Sequence, residues 1–207
     1  MSELSVMRFS RNVLMYGAVV LAMVFELAVL WLALHPDVPP DYRAYYLDQS
    51  TTCLNQPVSG DYALGTTVSF RSDGRERAMP LRVCGWEGPA GDGTHAVGRR
   101  SRLRFALPQE QVGILHLRLD LVAVTHDGNP AQRVEISANG QQITTAQAMA
   151  GVPMTIDMQV PPEIIYSNPG SLEVALDFPD AIRMAPGDSD TRMRSIKLLS
   201  ARLDVAR

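Results

Sequence analysis

The chain has 207 residues, with 19 basic and 22 acidic side chains and a formal net charge of −3. That balance provides no basic field to draw in a phosphate backbone, so nucleic acid is not an expected partner. The two cysteines, neither in a CxxC nor near a histidine at ligand spacing, are too few for a closed zinc site, and no cofactor is expected.

Residues 1–12 carry Arg8 and Arg11 and read as a short cytoplasmic tail. Residues 13–34 read VLMYGAVVLAMVFELAVLWLAL, about 22 residues, enough at 1.5 Å per residue to cross the roughly 30 Å hydrocarbon core with a little tilt. A cleaved signal peptide is the competing reading. Its apolar stretch usually runs only about 7–15 residues and ends in a small-x-small site, whereas this one is longer and continues into WLALHPDVPPDY. A retained transmembrane helix is therefore expected, with Trp31 as an interfacial anchor. Arg8 and Arg11 precede it, while Asp37 and Asp41 follow it before the first external base, Arg43. The positive-inside rule then puts the N-terminus in the cytoplasm. With no Asn-x-Ser/Thr sequon in the chain, the outer compartment is read as a bacterial periplasm and the membrane as the inner one.

Glu26 lies about two-thirds of the way across, where a carboxylate costs about 2.5–3.5 kcal/mol on insertion scales. It either meets a basic or polar group of another membrane protein or carries its proton in the lipid. Residues 35–47 form a proline-rich, polar linker.

From residue 48 to 207 the pattern turns to period two. Ser101, Leu103, Phe105 and Leu107 alternate with Arg102, Arg104 and Ala106, and Leu115, Leu117, Leu119 and Leu121 alternate with His116, Arg118 and Asp120. Further strands are expected at 65–70, 133–138, 141–145, 154–160, 171–178 and 195–205, with Asn139-Gly140 as a two-residue hairpin turn. About eight short strands with no long amphipathic helix predict an all-β domain, an antiparallel sandwich or jelly roll. Cys53 and Cys84 share its compartment. A disulfide between them, closing about 30 residues and adding roughly 3 kcal/mol, is expected, with two buried thiols as the alternative.

The segment 84–108, CGWEGPAGDGTHAVGRRSRLRFALP, the hairpin VEISANGQQI and the C-terminal PGDSDTRMRSIKLLSARLDV together resemble a family of carbohydrate-binding-module-like β-sandwich domains. These domains are attached to, or encoded with, membrane glycosyltransferases of bacterial envelope polysaccharides. The positions that carry the resemblance are Gly85, Trp86 and Glu87; Gly93, His95 and Gly98; Val134, Asn139 and Gly140; and Asp190 and Arg192. The chain departs from that pattern in lacking an attached catalytic domain and in having Arg194-Ser195 where Leu-Gly is usual. The resemblance implies a place in polysaccharide synthesis and a polytopic inner-membrane glycosyltransferase or polysaccharide transporter as partner.

Gly187-Asp188-Ser189 is similar to the nucleophile block of one class of serine esterases, but no histidine follows it, so the chain is not expected to be an enzyme. Asp188 and Asp190, with Asp177 and Asp180, are weak calcium candidates; the alternative is ordinary turn carboxylates. Trp86, Glu87 and His95, with Asp92 nearby, form the aromatic and polar mixture that sugars bind. The competing reading of Trp86 is a core residue packed against the disulfide. The leading expectation is a non-catalytic accessory subunit whose helix docks on a membrane enzyme through Glu26 and whose sandwich contacts that partner or the glycan. The alternative is a membrane-tethered glycan-binding module with no stable partner.

Overall fold

The computed structural model describes residues 3–35, 37–48, 53–108, 113–124, 130–183 and 193–206. It divides into two compact units, 1–40 and 41–207. The first is dominated by helix α1, Glu3–Leu34. It begins before the apolar run because ELSVMRFSRN holds no glycine or proline to break it. It stops ahead of His35-Pro36, since a proline disfavours the α conformation in the residue before it. His35 stacks on Trp31 with ring centroids 4.8 Å apart. Met15–Leu34 is long and apolar enough to cross a membrane, and its described side chains are exposed.

A short helix α2, Pro40–Tyr42, follows and continues through a wider helical turn, Arg43–Leu47. The expected polar linker is therefore helical from Pro40 onward. A proline at the first helical position loses nothing, because its missing N–H would have no intrahelical partner there.

Two antiparallel sheets follow. One holds β1 (Thr67–Ser69), β3 (Thr94–Val97), β5 (Leu115–Ala123), β8 (Met154–Val160), β10 (Ile182–Arg183) and β11 (Met193–Val205). Its order is β1-β11-β5-β8, with β3 and β10 also paired to β11. The other runs β2-β4-β9-β6-β7, with β2 at Arg82–Cys84, β4 at Arg100–Ala106, β6 at Ala131–Ala138, β7 at Gln141–Met149 and β9 at Ser171–Asp177. All eight expected strands form. The strands β2, β3 and β10 were not expected, because two to four residues are too few for a period-two pattern to register. Two short helices, α3 (Arg75–Ala78) and α4 (Pro162–Tyr166), cap loops.

The inward faces meet in one core. Leu115, Leu117, Leu119 and Leu121 of β5 face Leu103 and Phe105 of β4 and Leu172, Val174 and Leu176 of β9, all fully buried. On β11 the inward residues are Ile196 and Leu198, then Ala201 and Leu203. That three-residue step breaks period two, and a bulge between Leu198 and Ser200 absorbs it. Asn139 and Gly140 take positive φ (45° and 80°), as a tight hairpin turn requires.

The disulfide is formed. Cys53 and Cys84 are 31 residues apart with Cα atoms 5.0 Å apart. With Val83 and Val58 they make a small apolar cluster beside the main core. The peptide N–H of Gln56 donates to the carbonyl of Val83 at 2.7 Å, and that of Gly60 to Pro80 at 2.9 Å, so the stapled segment lies along the outer side of β2.

Candidate functional site

A groove of about 930 Å³ opens where this segment, the helical turn Arg43–Leu47 and the turn after β2 come together. Tyr45 and Tyr46 stand on one side, their rings edge to face at 4.8 Å. Gln56, Pro57, Val58 and Ser59 of the stapled segment line it as well, together with Met79 and Pro80. Arg82 and residues 84–88, including Trp86 and Glu87, form the remaining wall.

Gly85 makes the turn that carries this wall. Its φ is +74°, and its carbonyl accepts hydrogen bonds from the Ser101 hydroxyl at 2.6 Å and from the Val97 peptide at 2.8 Å. The chain then runs antiparallel to β3, with Trp86 opposite Ala96 and the Glu87 peptide N–H bonded to the His95 carbonyl at 3.0 Å. Trp86 is half-buried. Its indole Nε1 donates to the carbonyl of Arg102 at 2.8 Å, and its ring lies 6.1 Å from Phe70. It packs on the main core, against Phe70 and not in the disulfide cluster, while also lining the groove. A ring fixed at its N–H and backed by a phenylalanine is a rigid platform of the kind sugar C–H faces use.

The Glu87 carboxylate is paired with Arg194 of β11, a side chain only 9% exposed, across 107 residues of sequence. The arginine that departs from the resembled pattern is thus the one that holds a wall residue of the groove. Asp92 pairs with Lys197, and His95 lies opposite Lys197 in the sheet register. His95 adjoins Trp86 and Glu87 through the backbone, but its side chain does not line the groove. Its Nδ1 is buried without a hydrogen-bond partner. Burial, then the nearby Arg194 and Lys197, lower its pKa below the ordinary imidazole value, against the opposing effect of Glu87 and Asp92.

This sets a pH dependence. The unfolded chain takes up a proton below about pH 6.5 that folded His95 resists, so stability present above that pH is lost as pH falls toward the lowered folded value. Urea unfolding at pH 8 and pH 5.5 should show a smaller loss for His95→Gln than for the wild-type chain. Equal losses in the two would assign the acid sensitivity elsewhere.

Glu26 sits on the exposed surface of α1. Asp177 pairs with Arg100 at 2.5 Å and Asp180 with Arg133 at 3.4 Å, so both act as ordinary ion-pair partners. Asp188, Ser189, Asp190, Arg192 and His126 lie outside the described residues. Among the described residues, no group of three or more His, Cys, Asp or Glu side chains is placed to hold a metal ion. Sequence reasoning missed Arg82 and the Tyr45-Tyr46 pair. The signals available were two adjacent tyrosines in an otherwise polar linker and an arginine two residues before a cysteine.

A scan against protein-family profiles gives no match, and neither does a search of curated protein sequences. A search of solved structures does give matches. A family 36 carbohydrate-binding module in complex with calcium and xylotriose aligns with 67% of this chain and 99% of its own, at 10% identity and a TM-score of 0.39. A family 22 xylan-binding domain from Paenibacillus barcinonensis aligns with 72% of this chain and 100% of its own, at 12% identity and a TM-score of 0.40. A family 36 domain of a xylanase from the hindgut metagenome of Trinervitermes trinervoides covers 66% and 94%, at 14% identity and a TM-score of 0.37.

Proposed function

We propose that this chain is a non-catalytic, membrane-anchored accessory subunit of a bacterial envelope-polysaccharide synthesis or transfer complex. In this reading α1 spans the inner membrane with its N-terminus in the cytoplasm, and the sandwich works in the periplasm on partner or glycan. The observation that carries it is Glu26, one carboxylate within an otherwise apolar, fully exposed span from Met15 to Leu34. A charge at that depth is costly unless a neighbouring helix offers a basic or polar group. The polysaccharide setting comes from the sequence resemblance around Gly85-Trp86-Glu87. The non-catalytic assignment is supported by the groove, whose lining contains one carboxylate, Glu87, already neutralised by Arg194. Glycoside hydrolysis ordinarily needs two carboxyl groups in separate roles.

Purification of the tagged full-length chain from its native membrane in mild detergent should retain a polytopic glycosyltransferase or polysaccharide transporter at stoichiometric yield. Glu26→Leu should reduce that yield about tenfold, the equivalent of about 1.4 kcal/mol of lost association, while leaving the outer domain folded. Retention unchanged by Glu26→Leu would remove the helix from the interface.

A second reading, a tethered glycan-binding module with no stable partner, is favoured by the groove itself, with Tyr45, Tyr46 and Trp86 among its walls. It predicts recovery of the chain alone under conditions in which other membrane complexes survive.

A further inference from the structure

We propose that the groove beside the disulfide takes an anionic saccharide, with a negatively charged substituent of the sugar meeting the guanidinium of Arg82. This rests on the reading of the groove as a glycan site and adds the charge of the ligand to it.

Arg82 lines the groove between Pro80 and Cys84 and is half-buried. Its Nη1 donates to the carbonyl oxygen of Glu87, and its Nε is buried with no acceptor. Among the described residues no carboxylate lies within ion-pair distance of it. The contrast with its neighbours on β4 is direct: Arg100 pairs with Asp177, and Arg102 and Arg104 both pair with Glu173. The one carboxylate lining the groove, Glu87, is taken by Arg194. Burial, and then the nearby Arg75, both act against the charged form of Arg82, so its surroundings leave the cation uncompensated.

A partly desolvated guanidinium without an anion is unfavourable, and it is relieved by a partner that brings negative charge in a planar or tetrahedral group. The rest of the groove sets the class of that partner. Tyr45, Tyr46 and Trp86 offer ring faces and edges, and Gln56 and Ser59 offer hydrogen bonds, the combination suited to a sugar ring. A carboxylate of a uronic acid and a sulfate ester satisfy Arg82 through the same charge-assisted hydrogen bonds, so the shared chemistry is an anionic group on a saccharide.

The test is calorimetric titration of the full-length chain in mild detergent with three probes: oligogalacturonate, its methyl ester, and a sulfated oligosaccharide of similar length. The expected result is binding of one or both anionic probes, at least tenfold weaker binding of the neutral ester, and weakening as salt is raised. Binding of only the sulfated probe would assign the anion as sulfate, and of only the uronate as carboxylate. Arg82→Gln should reduce anionic binding at least tenfold, and Arg82→Lys should retain part of it. If the ester binds as well as the acid, or Arg82→Gln binds the anionic probes like the wild-type chain, the charge assignment is overturned while the glycan reading stands. If no saccharide binds, both fall. The ester comparison uses the unaltered chain, so it decides the matter even if the Arg82 variants do not fold.

Discussion

Replacing Gly85 with alanine is expected to destabilise the β-sandwich domain by about 3 kcal/mol, through two terms that add. The first is conformational. At φ +74° a side chain is disfavoured, which costs about 1 kcal/mol. The second is steric. A Cβ at this position would lie 2.2 Å from the carbonyl oxygen of Arg100 and 2.8 Å from the Cα of Ser101, both backbone atoms of β4 that cannot rotate away. Relief requires the turn to move off β4, which breaks the bond from the Ser101 hydroxyl to the Gly85 carbonyl and displaces Trp86. Gly140→Ala is the control, because φ there is +80° but open space surrounds the site. It should cost only about 1 kcal/mol. Chemical denaturation of the two variants reads the difference. Equal losses would mean that the close approach of the Gly85 turn to β4 carries no energetic weight.

Removal of the disulfide by Cys53→Ala together with Cys84→Ala is expected to lower stability by about 3–4 kcal/mol, the chain-entropy value for a loop closed across 31 residues. For a domain of this size that is a fall in melting temperature of roughly 10 °C. The effect should extend to the groove. The bridge holds the 53–60 segment along β2, and Gln56, Pro57, Val58 and Ser59 of that segment form part of the lining. Any saccharide binding should therefore weaken more than the loss of stability alone would cause at a temperature where the variant is still folded. Thermal unfolding measured beside saccharide titration separates the two effects. Unchanged binding in the bridgeless chain would place the ligand outside this groove.

Much of the architecture was legible because it is written in short-range patterns. Leu115 to Leu121 alternates without interruption and forms the central strand β5, and Asn139-Gly140 turns as its residue types demand. The strands β2, β3 and β10 were not legible, since each is held by its partners and not by its own pattern. Nor was the bulge in β11, which only a count of inward residues on both sides of Leu199 reveals. At the candidate site, Trp86 and Glu87 were found from composition and resemblance, and their surroundings were not. Nothing near Glu87 in sequence announces Arg194, and nothing near Arg82 announces that it would be left without a carboxylate.

By itself, the sequence determined the apolar span, the presence of a carboxylate within it, the β-rich domain that follows and the strands of its core. Each of these depends on the transfer energies and backbone preferences of residues close to one another along the chain. Only the tertiary structure decided that Cys53 bonds Cys84, that Trp86 lies against Phe70, and that Tyr45, Tyr46, Arg82 and Glu87 share a groove. Those contacts join segments separated by tens of residues. They exist because burying two sheets against each other fixes strand registers, and the registers bring together loops whose local sequences carry no trace of one another.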